Sequence, residues 1–260
     1  MPAQKLRLNK FLAERIGVSR READELISAG KITINGKVAP LGFSLPTPEN
    51  LDNFPKVCYN GKIVPLLADF LYLAFNKPVG YVCSRRAQGD APTLYALLPK
   101  EYQKLKTVGR LDKDSSGLIL LTNDGDFAFQ MTHPKFRKTK VYEVELDRPL
   151  APLHQQMISD FGVEIGDGIS KFKIIKNAAL SAEPEANSSN DAPLVSDQTS
   201  ISNQSSASPS YIVILSEGRN RQIRRTFAAL GYTVVKLHRT QFGKYELGNL
   251  ESGKYVIIRP

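Results

Sequence analysis

Gly109-Arg110-Leu111-Asp112-Lys113-Asp114-Ser115-Ser116-Gly117-Leu118-Ile119-Leu120-Leu121-Thr122-Asn123-Asp124-Gly125 is the stretch on which the reading of this chain turns. Leu118–Leu121 is an unbroken apolar run, and it closes on Asn123-Asp124-Gly125, a turn-forming triplet. A short apolar run bounded by such a turn reads as a buried strand. Asp112 then lies at the entrance to that strand, with Arg110 two positions before it. A carboxylate so placed can act as a nucleophile without a metal or an organic cofactor. Asp114 competes for the role, since residues i and i+2 of an extended chain share a face. A glycosidase pair, however, draws its carboxylates from separate elements roughly 5–10 Å apart. No further acidic cluster completes a metal site, so Asp114 is read as a structural residue.

Bulk properties narrow the classes. A chain of 260 residues has room for one or two domains. Its formal net charge of +9 favours a polyanionic partner, nucleic acid before an anionic membrane. Cys58 and Cys83 are isolated and are expected to pack as small apolar side chains. His133, His154 and His238 are scattered without zinc spacing, so no metal is expected. No apolar run approaches the roughly 18 residues of a membrane span, and the N-terminus lacks an apolar signal core. A soluble, cytoplasmic protein is expected.

Outward from the central stretch, the N-terminal 67 residues read as one small module. Leu6, Leu8, Phe11, Leu12 and Ile16 recur at helical spacing from about residue 5 up to Gly17. Ser19-Arg20-Arg21-Glu22 matches the Ser-x-x-Glu capping box and opens a second helix that stops at Gly30. Asn35-Gly36 and Asn60-Gly61 each separate short alternating runs, as hairpin turns do. Pro40 to Asn53, with three prolines, reads as an irregular loop. The words Arg7-Leu8-x-Lys10-Phe11-Leu12, Ser19-Arg20-Arg21-Glu22-Ala23 and Gly30-Lys31-Ile32-Thr33-Ile34-Asn35-Gly36 resemble the S4 RNA-binding domain. That likeness implies an S4-like αL fold whose Lys10, Arg20, Arg21 and Lys31 meet RNA phosphates.

Residues 70–260 read as a second, larger domain. Strands are expected at 71–77, 118–122, 140–147, 211–216, 233–237 and 255–258, and helices at 93–98, 125–132, 151–159 and 220–230. Residues 180–210 are rich in Ser, Asn, Ala, Asp and Pro and contain no Lys or Arg. They are expected to form a disordered insertion between two strands.

Three words in this domain resemble the RNA pseudouridine synthases, in the branch that modifies ribosomal RNA at single sites (the RsuA/RluB/RluE/RluF type). They are Gly109-Arg110-Leu111-Asp112, Lys140-Val141-Tyr142, and Gly218-Arg219-Asn220-Arg221-Gln222-Ile223-Arg224. The likeness implies an α+β chain: the S4-like module, then a catalytic domain with a mixed, mostly antiparallel central sheet. It implies Asp112 as nucleophile on a flipped uridine, Tyr142 as the partner on the base side, and Arg224 as ion-pair partner of Asp112. It places Leu237 against the base. Arg110, Lys140, Arg219, Arg221, Gln222, Arg225 and Arg239 are assigned to RNA or substrate binding.

The chemistry implied breaks a C–N glycosidic bond and remakes it as C–C, so no cofactor is expected. The expected partner is ribosomal RNA or a pre-ribosomal particle, met by a monomer. Glu217-Gly218-Arg219-Asn220-Arg221-Gln222 leans slightly toward the large-subunit members. The rival reading is a non-catalytic S4-domain assembly factor; the joint presence of Asp112, Tyr142 and Arg224 weighs against it.

Overall fold

The computed structural model describes residues 5–46, 54–177 and 209–260. The stretch 180–208 of the expected insertion, and residues 47–53 of the expected loop, lie outside them.

In the small module, β1 (Lys5–Arg7) runs straight into α1 (Leu8–Ile16), and α2 (Arg20–Ser28) follows. Gly17 ends α1 in a left-handed conformation, φ +74°, which its missing Cβ permits. At the start of α2, Ser19 Oγ accepts from the Glu22 N–H at 3.1 Å, and Glu22 Oε2 accepts from the Ser19 N–H at 3.3 Å. Such a reciprocal cap contributes about 1 kcal/mol. β2 (Ile32–Ile34), β3 (Lys37–Val38), β4 (Ser44–Pro46), β5 (Val57–Tyr59) and β6 (Lys62–Ile63) complete the module. Four of these form a sheet in the order β3-β2-β5-β6, turning at Asn35-Gly36 and Asn60-Gly61 as expected.

Two expectations need correction. The first helix begins at Leu8 rather than residue 5, because Lys5–Arg7 pairs with β4, Leu6 opposite Leu45. The stretch from Pro40 is accordingly not all loop. A strand partner some 40 residues away leaves no periodic trace in a helical-looking run. Leu8, Phe11, Leu12, Ala23, Ile27, Ile32, Leu45 and Val57 close an apolar core of the module's own. Its contacts with the rest of the chain include polar ones: Lys10 Nζ meets Asp126 at 2.6 Å, and Lys106 Nζ donates to the Val18 carbonyl at 3.4 Å.

The larger part contains β7 (Tyr72–Lys77), β8 (Lys106–Val108), β9 (Ser116–Thr122), α3 (Gly125–Thr132), β10 (Lys140–Leu146), α4 (Pro152–Gln156), β11 (Val163–Glu164), β12 (Ile169–Ser170), β13 (Lys173–Lys176), β14 (Ser210–Leu215), α5 (Gln222–Ala229), β15 (Val234–Phe242), β16 (Tyr245–Glu246) and β17 (Tyr255–Ile257). Its main sheet runs β13-β14-β10-β15-β9-β7-β17, with β8 on β9 and β16 on β15. β9 and β15 are parallel; the other pairs in this sheet are antiparallel. The sheet is therefore mixed and mostly antiparallel.

Packing explains the unbroken Leu118–Leu121 run. Ile119 and Leu121 face a core with Phe75, Val144, Val213 and Phe227, while Leu118 and Leu120 face a second one with Val108, Met131 and Phe242. A strand covered on both faces is apolar at every position. The helix expected at 93–98 is one short 3₁₀ turn, Leu94–Leu97, since Pro99 forces Leu98 into extended backbone. The helix expected at 151–159 changes after Gln156 into a single π turn, Met157–Phe161. β15 extends five residues past its expected end. Among the described residues no helix is long and apolar enough to cross a membrane.

Candidate active site

Asp112 stands in the loop between β8 and β9, and the loop is held from below. Gly109 enters it at φ +73°. The Leu111 N–H donates to Cys83 Sγ, and the Cys83 thiol donates to the Leu111 carbonyl, both at 3.3 Å. The Ser115 N–H closes a turn on the Asp112 carbonyl at 3.1 Å. Lys77, 0 % exposed, donates to the Ser115 carbonyl at 2.7 Å and the Pro78 carbonyl at 2.9 Å. Burial pushes the Lys77 ammonium pKa down, while Cys83, Asp112 and Asp114 act against that. Arg110, Asp112 and the buried Leu111 between them line a cavity of about 280 Å³, which Tyr142, Leu237 and Arg239 also line.

The cationic side of the cavity differs from expectation. Arg221 grips Asp114 with both guanidinium ends, at 3.0 and 2.9 Å. Arg224 also turns to Asp114: Nε lies 3.3 Å from Oδ2, and Nη2 donates to the Asp114 carbonyl at 2.7 Å. Its Nη1 is taken by the Val234 carbonyl at 2.7 Å. The guanidinium in ion-pair range of Asp112 is that of Arg221, at 3.8 Å. The expected Asp112–Arg224 pair is thus replaced by a latch through Asp114. Arg224, on the first turn of α5, reaches beneath the Asp112–Ser115 turn, where Asp114 and its carbonyl intercept it. Partial burial works against the Asp114 charge, yet Arg221 and Arg224 hold its carboxyl below the ordinary range.

β10 and β15 supply the opposite wall. Tyr142 pairs with Arg239 across the strands. Arg239 is only 2 % exposed; its Nε donates to the Leu118 carbonyl at 2.7 Å and its Nη1 to Tyr142 Oη at 3.4 Å. The guanidinium also lies over the rings of Phe242 and Tyr142, 4.8 and 5.9 Å from their centroids. Assigned to RNA or substrate binding, Arg239 is held inside the wall and lines the cavity from there. Gly117, at φ +101°, is what lets β9 lie against this strand, since a Cβ there would overlap the Arg239 backbone. Leu237 is buried and lines the cavity.

Lys140 is half-buried beside them, donating to the Glu217 carbonyl at 3.0 Å, its Nζ 5.5 Å from the Phe242 ring centroid. Burial first, and Arg239 second, push its amine down to about 8, with Glu217 opposing. Between that value and its ordinary 10.5, the unfolded chain binds more protons than the folded one, so raising pH favours the fold. The thermal midpoint of the wild type is expected to gain on that of Lys140→Met as pH climbs through this window. Parallel midpoint curves for the two proteins would sink the assignment.

Other residues assigned to RNA are used within the protein. Arg219 donates to the Ile169 carbonyl at 2.6 Å and pairs with Glu217 and Asp167. Arg225 binds both Asp167 oxygens, at 2.9 and 3.0 Å, and the Ile165 carbonyl. Gln222 is buried, donating to Ser170 Oγ and Glu217 Oε1. Together they fasten the β11–β12 hairpin to α5. Lys10 is engaged by Asp126 and Glu14. Arg21 and Lys31 are exposed, as is Arg20, which also touches Asn9 Oδ1 at 3.3 Å. The sequence reading missed Lys77 and Cys83 as supports of the Asp112 loop, Asp114 as a latch, and Phe242 as part of the wall. Lys77 alone carried a signal, a charged residue ending an apolar strand.

Residues 71–229 match the family model for RNA pseudouridylate synthase, and residues 6–45 that for the S4 domain. The chain is 33% identical over 252 residues to the ribosomal small subunit pseudouridine synthase A of Pasteurella multocida, covering 96% of this chain and 94% of the relative. It is 31% identical to the protein of the same name from Escherichia coli (strain K12), covering 96% and 95%. A crystal structure of a pseudouridylate synthase superimposes with a TM-score of 0.60 at 28% identity, over 98% of this chain and 96% of that one. An aspartate loop mounted on a mixed sheet behind an S4 module, matched along almost its whole length by such enzymes, places the chain in the RNA pseudouridine synthase family.

Proposed function

We propose that the protein converts a specific uridine of small-subunit ribosomal RNA to pseudouridine, with Asp112 as the nucleophile. The observation that carries this reading is the meeting of Asp112, Tyr142 and Leu237 on one cavity, although they come from three separate segments of the chain. The target base must leave the helix stack to reach such a cavity. The Asp112 carboxylate acts on the flipped nucleotide as the C1′–N1 bond breaks. The uracil turns, C5 bonds to C1′, the C5 proton departs and N1 ends as N–H. Atoms and electrons balance within the nucleotide, so the isomerisation needs no cofactor. Tyr142 presents a phenol to the base side, suited to stacking and to assisting loss of the C5 proton. Leu237 offers the base an apolar contact. Arg110, exposed at the rim, is placed to hold a phosphate. The S4 domain docks the RNA through Arg20, Arg21 and Lys31.

The lean of the sequence toward the large subunit is dropped: two relatives matching over almost the whole chain are named for the small subunit. Pseudouridine mapping on ribosomal RNA incubated with the protein, free and in particles, tests the proposal. One new reverse-transcription stop in small-subunit RNA is expected. A stop confined to large-subunit RNA would redirect the substrate. No stop on either, with RNA binding intact, would favour an assembly factor.

A further inference from the structure

The last turns of α3 and the segment after it carry a cluster of rings left in water. Phe129 is 46 % exposed and Phe136 37 %. Their centroids are 5.8 Å apart with planes at 89°, and the His133 ring lies 4.6 Å from Phe129 and 6.4 Å from Phe136. Neither phenylalanine belongs to the apolar cores. Lys135 Nζ hangs over both, 5.2 Å from one centroid and 4.7 Å from the other. The segment is built rather than slack: His133 Nδ1 accepts from the Lys135 N–H at 3.3 Å, and Arg137 holds a left-handed φ of +45° to end the turn.

The position of this cluster gives it meaning. Thr132 and Pro134, interleaved with its rings, line the same cavity as Asp112. A Cβ on Gly109, the entry to the catalytic loop, would sit 3.5 Å from Thr132 Cγ2. The ring cluster therefore continues the cavity rim outward. Lys135 and Arg137 are exposed in the same segment, so any ligand there meets both π-faces and positive charge. Single-stranded nucleic acid is held by that combination: bases stack on aromatic faces while cations follow the backbone. Extrusion of one base also leaves its neighbours without a stacking partner.

We propose that Phe129, His133 and Phe136 form a stacking platform for a base flanking the target uridine, with Lys135 passing from the rings to an adjacent phosphate. The proposal rests on the ribosomal RNA reading above. A π-face accepts any base, so the platform contributes affinity and register rather than sequence choice.

The test uses small-subunit RNA fragments centred on the mapped uridine, intact or with an abasic nucleotide at each flanking position. Phe129→Leu/Phe136→Leu keeps apolar bulk and removes the π-faces. It is expected to bind intact RNA about 5- to 100-fold more weakly. Wild-type protein is expected to lose a similar factor on one abasic fragment, which needs no variant to fold. The variant should lose little more on that same fragment. Unchanged affinity of the variant, or two losses that multiply in full, would overturn the platform. A wild type that modifies no ribosomal RNA fails differently, by the absence of pseudouridine, and overturns the underlying reading.

Discussion

Asp112→Asn is expected to abolish pseudouridine formation, lowering the single-turnover rate by about 10⁴-fold or more, as loss of a nucleophile or its charged partner does elsewhere. Asparagine keeps the shape of the side chain and removes its charge. The loop should not move, because its backbone is held by Cys83, Lys77 and the Asp114 latch rather than by the Asp112 carboxylate. Asp112 itself makes one loose ion pair, at 3.8 Å, to Arg221. The thermal midpoint and RNA affinity are therefore expected to stay near wild type while turnover vanishes. Residual activity within tenfold of wild type would remove Asp112 from the chemistry. Equal loss of binding and turnover would make it a docking residue.

Asp114→Asn carries the second largest expectation, and it separates two neighbouring carboxylates by their roles. Without the Asp114 charge, Arg221 has no counter-ion nearer than Asp112, already within 3.8 Å. It is expected to swing there and occupy the carboxylate proposed above as the nucleophile. Arg224 loses its ion pair but keeps its bonds to the Asp114 and Val234 carbonyls. A misplacement of about 1 Å costs on the order of 10²-fold, and turnover is expected to fall by that factor. Stability should fall by roughly 1 kcal/mol, the exposed part of the carboxylate being screened by water.

The pH dependence follows from the direction of the Asp114 shift. Its folded pKa lies below the ordinary 3.8, so the latch contributes in full above that value and is lost as pH falls through the folded pKa. The gap in thermal midpoint between wild type and Asp114→Asn should close on acidification below 3.8. A gap that persists there would mean that packing, not charge, is what Asp114 supplies.

How much of this was legible depends on the range over which each signal acts. The capping box at Ser19, the Asn-Gly turns and the Leu118–Leu121 strand are local, and each formed where it was read. The strand at Lys5–Arg7 was not, because its cause lies in Ser44–Pro46. The site divides the same way. Asp112, Tyr142 and Leu237 were singled out by the words around them, and the fold brings them to one cavity. The partners of the arginines were not legible, because Gly218–Arg225 offers four guanidinium groups at similar spacing. Which of them meets Asp112, Asp114 or Asp167 depends on the turn at Arg221, φ +46°, and on a hairpin some 50 residues upstream. Charge density was visible in the sequence; its consumption by internal carboxylates and carbonyls was not.

The place of β15 in the main sheet has a consequence for synthesis. β10 and β9 are neighbours in time but not in space: both are complete by residue 146, and β15 lies between them in the strand order. Until Val234–Phe242 has been made, the half bearing Asp112 and the half bearing Tyr142 have no strand to join them. A chain folds as it emerges only as far as its contacts allow. The side chains of Asp112 and Tyr142 are therefore brought together only once Val234–Phe242 has been made. A truncated copy lacking this strand would bear both residues and no site, so unfinished chains would leave the RNA of the ribosome making them untouched.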